Sequence, residues 1–320
     1  MKKSSTVKSA KPSSKETCRN AGIYINPLTD FGFKLIFGTE ANKDLLIHFL
    51  ESVLEIDGGI KDLRYDNPER QGRIAIDRRA IFDLYCITGK DEHIIIEMQN
   101  VRQDYFKDRA LYYASFPIQE QGEKGDEWDF QLNPVYSVNI LNFGFGKNPE
   151  DEKQYLHYVQ LTDKISNRVF YDKLVFVFIQ LPNFTKQEHE LENNFDRWMF
   201  VLKYLAKLQE LPDALHNRIF EKLFYVAEIA KMTRKDKRSY NQSLKEYRDM
   251  YLMDSALKRK EALLQKKDAE IQVKDAENLA LKSQNETMIR VLLEAGVSVE
   301  KIAVSTGISM KEINRIKETL

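Results

Sequence analysis

The stretch IFDLYCITGKDEHIIIEMQ, residues 81–99, decides the fold. Two apolar runs flank Thr88-Gly89-Lys90-Asp91-Glu92, a pattern that predicts an antiparallel hairpin with a five-residue loop. With Ile87 opposite His93, counting back along both runs sets Asp83 opposite Glu97. Directly opposed residues share a face, their Cβ atoms about 4.5–5.5 Å apart. Gln99, two residues beyond Glu97, shares it too. Ile81, Tyr85, Ile87 and Ile95 surround this polar trio, and Phe82, Leu84, Cys86, Ile94, Ile96 and Met98 fall on the opposite face. Two carboxylates this close in an apolar setting raise one another's pKa unless a cation sits between them. Oxygen ligands at about 2.0–2.1 Å suit Mg²⁺, and such an ion acts on phosphates. The bland alternative is that Asp83 pairs with an arginine and Glu97 ends a strand at the surface.

Outward from the hairpin, apolar residues at helical spacing over Ala41 to Leu54 predict a helix. Runs rich in Ile, Val, Phe and Tyr at 74–76, 80–87, 93–98, 135–141 and 174–181 predict strands, and Asp104 to Gln119 predicts a helix between the third and fourth. Helix, strands, helix, strand is an α/β core rather than a doubly wound array. Residues 187–232 read as two helices broken at Leu211-Pro212, a helical lid packed on the sheet.

The chain has 320 residues, 42% of them hydrophobic, so a sizeable core is expected. Lys+Arg and Asp+Glu are 49 each, so any phosphate-binding surface is a local patch. Cys18 and Cys86 offer neither a disulfide framework nor a cysteine zinc site. His48, His93, His157, His189 and His216 lack metal-ligand spacing. No signal peptide and no apolar run of membrane-spanning length is read, so a cytoplasmic protein without membrane contact is expected.

Four segments are anticipated: a disordered basic tail at 1–20, an α/β domain with its lid at 21–235, a charged helix at 236–285 and a small helical module at 286–320. In the charged stretch Met250, Leu257, Leu264 and Ile271 recur every seven residues, but the accompanying column is Met253, Lys260, Lys267 and Lys274. Coiled coils want both columns apolar, so a single solvated helix and a homodimer through residues 244–285 both remain open. In the last segment Gly296 and Gly307 end helices, and Ser298 and Ser309 start them, the layout of a helix-turn-helix. Lys311, Asn314 and Arg315 on its last helix are candidate nucleic-acid contacts, and a packing or dimerisation role is the alternative.

Asp83 and Glu97-Met98-Gln99, on consecutive strands before a helix, resemble the PD-(D/E)XK nuclease superfamily. More narrowly, NPLTDFGFKLIFG at 26–38, DRRAIFDLYC at 77–86, IIIEMQ at 94–99 and YFKDRALYYAS at 105–115 resemble the bacterial recombination-promoting nuclease and transposase family over about residues 24–290. The resemblance implies an αβββαβ restriction-endonuclease-like core. It also implies endonucleolytic cleavage of DNA with Mg²⁺ or Mn²⁺, in recombination or mobile elements. Asp83 and Glu97 match its metal-binding acids. Gln99 stands where the superfamily usually has lysine, Phe82 where it has proline. Arg109 matches a family arginine that takes over the cationic role, and Asp30 an acid that completes the site. Without the resemblance, Asp30 reads equally as a helix N-cap, Arg109 as a salt-bridge partner of Glu97, and Asp77 as a partner of Arg78 or Arg79. The competing function is a DNA-binding or dimeric scaffold of mobile-element origin whose acids are neutralised by Arg or Lys; an RNA-processing nuclease shares the chemistry.

Overall fold

The computed structural model describes residues 22–66, 69–70, 80–122, 129–145 and 153–320. The anticipated tail at 1–20, Cys18, the run at 74–76 and the pairing of Asp77 with Arg78 or Arg79 lie outside the described residues. The chain divides into two compact units, Met1–Tyr251 and Leu252–Leu320.

The first unit is built on a six-stranded mixed sheet. In chain order its elements are α1 (Asp30–Phe37), α2 (Lys43–Val53), β1 (Leu63–Tyr65), β2 (Glu69–Arg70), β3 (Ala80–Ile81), β4 (Leu84–Thr88) and β5 (His93–Gln99). There follow α3 (Phe106–Glu120), β6 (Val135–Leu141), β7 (Leu156–Thr162), β8 (Val169–Gln180), α4 (Asn194–Tyr204), α5 (Arg218–Ala227) and the first part of α6 (Arg234–Glu294), whose residues from Leu252 on are counted in the second unit. The strand order is β1-β4-β5-β6-β8-β7, and β2 and β3 form a separate two-stranded ribbon. β4 and β5 pair antiparallel with Ile87 opposite His93, the register expected from the turn. β5, β6 and β8 are mutually parallel, and α3 is the crossover that a parallel β5–β6 pair requires.

Alternation along the strands separates two packing faces. Leu84, Cys86, Ile94, Ile96, Val138, Ile140, Val177 and Ile179 join Phe33, Phe37, Phe49, Trp198 and Phe220 from α1, α2, α4 and α5 in the main core. Val135, Leu141, Phe176 and Phe178 pack on the other face against Ala110 and Ala114 of α3. The two helices expected as a lid are thus integral to the core, with Trp198 fully buried and its indole N–H donating to His48 Nδ1 at 2.9 Å.

Several expectations need correction. The run 80–87 is not one strand: it breaks at Phe82-Asp83. With the pleat interrupted, Phe82 packs with Tyr85, Ile87, Ile95 and Tyr113 on the α3 face, not the opposite one. β1, β2 and β7 were not anticipated, and β8 starts five residues early. The helix expected from Asp104 starts at Phe106, because Tyr105 takes a left-handed φ of 59°. It continues three residues past Pro117, whose carbonyl accepts from the Gln121 side chain.

α6 is 61 residues long, extending past both bounds anticipated for the charged stretch. Its seven-residue column is solvated, with Met250, Leu257, Leu264 and Ile271 between 40% and 55% exposed. In the second unit, α7 (Val299–Thr306) and α8 (Met310–Lys317) follow turns in which Gly296 and Gly307 adopt φ of 79° and 71°. A Cβ is strained at such angles, which accounts for glycine there. Ile289, Ile302, Ile313 and Ile316 make a miniature core, with Leu292, Leu293, Ala303 and Ile308 packed around it. Among the described residues no helix is long and apolar enough to cross a membrane.

Candidate active site

β5 carries Glu97 near its C-terminal end, in register with Asn139 of β6, and the chain enters β4 through Asp83. Because regular pairing ends at Leu84–Ile96, the next pair meets through side chains. The Asp83 N–H donates to Glu97 Oε1 at 3.3 Å, and Asp83 Oδ2 accepts the Met98 N–H at 2.7 Å. The two acids expected to face one another are therefore brought together. Glu97 is buried and Asp83 half-buried.

Gln99 turns its amide inward, Nε2 donating to Glu97 Oε2 at 3.1 Å. Arg109, on the first turns of α3, has Nη2 at 3.9 Å from the same oxygen. Its Nη1 donates to Gln103 Oε1, and its guanidinium lies 5.5 Å from the Tyr113 ring centroid. Gln103 also lines a 260 Å³ depression with Arg102, Lys107 and Phe145, where β5 hands over to α3.

Burial first, and the Asp83 charge second, push the Glu97 carboxyl up to about 8, against the pull of Arg109, the Asp83 N–H and the Gln99 amide. Asp83 is raised as well, chiefly by burial and then by Asp30, opposed by the Met98 N–H, Lys34 and Arg109. Arg109 and Lys34 do not bring either carboxyl back to its ordinary range, so the pair favours an added cation.

Asp30 is the first residue of α1, not its N-cap: Thr29 caps the helix, its hydroxyl accepting the Gly32 N–H. Asp30 is mostly exposed and pairs with Lys34 at 2.8 Å. Both act electrostatically on Asp83. Lys34 was missed in the sequence reading; its only local signal is the i,i+4 spacing from Asp30. The start of α1 is fixed to the end of β5 by Asn100, whose Nδ2 donates to the Leu28 carbonyl at 2.7 Å. α6 holds it too: Tyr240 Oη accepts the Asn26 N–H and Ser243 Oγ the Phe31 N–H.

Among the described residues no cluster of three or more His, Cys, Asp or Glu is placed to hold a metal. The available donor set is two carboxylates and an amide, all oxygen. Mg²⁺ is held by one or two carboxylates plus substrate phosphate and water, so the pair fits such an ion. Lys311, Asn314 and Arg315 are exposed on α8, in the second unit.

Residues 27–256 match the family model described as a PD-(D/E)XK nuclease family transposase. No curated protein matches the chain, and no solved structure matches it.

Proposed function

The chain belongs to the PD-(D/E)XK nuclease family transposases, and on that premise we propose that it is a divalent-metal-dependent endonuclease hydrolysing DNA phosphodiesters in recombination or mobile-element movement. The observation that carries this reading is the cross-braced Asp83–Glu97 pair, in which Glu97 Oε1 accepts the Asp83 N–H and Asp83 Oδ2 accepts the Met98 N–H, with Glu97 buried and Asp83 half-buried. Asp83 and Glu97 are the residues that would hold the ion, Mg²⁺ or Mn²⁺. When bound, it supplies Lewis acidity toward phosphate and water. The order α2, β1, β4, β5, α3, β6 supports an αβββαβ nuclease core.

Gln99 orients Glu97 through its amide and leaves that carboxylate one oxygen, Oε1, that it does not touch. An amide carries no charge for the phosphate, so the cationic task passes to Arg109, with Lys34 adding positive potential from α1. Asp30 contributes as an additional acid through its field on Asp83.

Outside the site, we read 286–320 as a docking module presenting Lys311, Asn314 and Arg315 to DNA. The solvated column on α6 supports a homodimer through 244–285. The reading is tested by nicking of supercoiled plasmid with Mg²⁺, Mn²⁺ or EDTA. One observation favours the scaffold alternative, the Arg109–Glu97 contact at 3.9 Å. A scaffold binds DNA but nicks nothing with either metal.

A further inference from the structure

The β7–β8 hairpin carries a feature that the active site does not use. Every residue from Leu161 to Phe170 is exposed. Such an arm is ordinarily floppy, but this one is closed by a dense set of bonds. The Asp163 N–H donates to the Arg168 carbonyl and the Asn167 N–H to the Asp163 carbonyl, each at 2.9 Å. Asp163 Oδ1 accepts the N–H groups of Ser166 at 2.6 Å and Ile165 at 3.1 Å. Asn167 completes the turn at φ 54°. The result is a stiff tip that presents Ile165, 94% exposed, between Lys164 and Arg168, with Phe170 81% exposed on the arm behind it. The turn carries two bases, Lys164 and Arg168, against one acid, Asp163, whose carboxyl the Ser166 N–H holds below the usual carboxylate range, so the tip is net cationic by a single charge.

We propose that this tip is a DNA wedge, in which Ile165 enters between base steps from the minor groove while Lys164 and Arg168 hold the flanking phosphates. The proposal rests on the reading of the chain as a DNA nuclease. Apolar wedges of this kind unstack a step and kink the duplex, and lysine and arginine on phosphates supply affinity without reading sequence. Size favours this partner over a protein. A stable protein interface needs about 800 Å² per partner; Leu161, Val169 and Phe170 are exposed on the arm behind the tip, but Ile165 alone stands at its apex, where one side chain matches one base step.

Placement agrees. Glu97 is in register with Asn139, and Asn139 with Phe178 of β8. At about 3.3 Å per residue, Val169 at the base of the tip lies about 30 Å along the strand from that row. One turn of B-DNA is about 34 Å. The along-strand offset between the carboxylate row and the base of the tip is thus close to one helical turn, with two strand spacings of about 4.8 Å each added sideways.

The test uses the full chain carrying Glu97→Gln, so that bound DNA stays intact, with Mg²⁺ and a 30-base-pair duplex labelled at both ends for energy transfer. Adding Ile165→Ala is expected to abolish the bend and leave the salt slope of binding unchanged. Adding Lys164→Ala and Arg168→Ala is expected to reduce the slope of log K against log salt by about 1.8, about 0.9 per phosphate contact. If the parent binds DNA and both sets leave bend and slope unchanged, the wedge is overturned and the nuclease reading stands. If the parent binds no DNA, both fall. The wedge is equally overturned if Ile165→Ala alters only the mass in light scattering or only binding to phosphatidylserine vesicles. Those results assign the tip to a second copy or to a lipid surface.

Discussion

Glu97 accepts the backbone N–H of Asp83 through Oε1 at 3.3 Å, while Asp83 Oδ2 accepts the N–H of the residue after Glu97 at 2.7 Å. Each acid is thus held by the other's strand, and neither can swing away without breaking a bond at the end of the ladder. That cross-bracing keeps two carboxylates side by side in a buried setting, where the energetic tension between them is the basis of the proposed chemistry.

The tension has a sign that stability measurements can read. The Glu97 carboxyl rises from an ordinary 4.5 to about 8 on folding, and Asp83 rises too. Between those values the folded chain holds protons that the unfolded chain has released, so stability is fully present at low pH and falls as pH rises through the window. Thermal unfolding without divalent metal is expected at progressively lower temperature from pH 5 to pH 8. Glu97→Gln should flatten most of that slope, and Mg²⁺ should offset it in the parent. A parent whose stability rises over this range contradicts the assignment.

Arg109 reaches Glu97 only at 3.9 Å and is shared with Gln103 and the Tyr113 ring. The proposed role is to serve a phosphate rather than to neutralise Glu97. Arg109→Ala should lower turnover by about 10²-fold, the scale for losing one charge-stabilising donor, with a smaller effect on unfolding. Equal loss in both would make it a structural partner of Glu97. Gln99→Lys, restoring an ammonium where Gln99 now sits, should partly rescue Arg109→Ala and do little for Glu97→Gln.

The hairpin was legible in the sequence because two things agreed: a turn of defined length and an apolar run on each side of it. Together they set the register of Ile87 on His93 and brought Asp83 to Glu97. Phe82 was misplaced because alternation holds only inside a paired strand, and pairing ends one residue after Asp83. β1 has three residues, too few for a period, and the exposed β7 lacks the apolar face that marks a buried strand. Lys34 could not be found locally: it comes near Asp83 through the packing of α1, forty-nine positions away in the chain. Trp198 and its contact to His48 are likewise tertiary facts, since 150 positions separate them.

The seven-residue column on α6 makes a prediction of its own. Leu257, Leu264 and Ile271 are about half exposed, an arrangement that a second copy would cover. Light scattering of the full chain at micromolar concentration should give the mass of a dimer, and Leu264→Glu with Ile271→Glu should halve it. A monomer mass in the parent makes α6 a solvated helix.

Ile302 is fully buried at the centre of the miniature core. Ile302→Ala should cost about 2–5 kcal/mol in the unfolding of the C-terminal unit, read by hydrogen exchange in α7 and α8. Deleting 286–320 should lower duplex affinity and its salt slope while leaving cleavage per bound complex intact. An unchanged slope would remove Lys311, Asn314 and Arg315 from the DNA contacts.

The proposed chemistry has Asp83 and Glu97 acting together with a divalent ion on DNA. The most direct measurement is the rate of supercoiled plasmid nicking by the parent, Asp83→Asn and Glu97→Gln, each in Mg²⁺, Mn²⁺ and EDTA, with folding checked by circular dichroism. Nicking is expected from the parent in a divalent metal, with none in EDTA and none above background from either folded variant. Nicking by either variant at the parental rate, or by the parent at the same rate in EDTA, would contradict it.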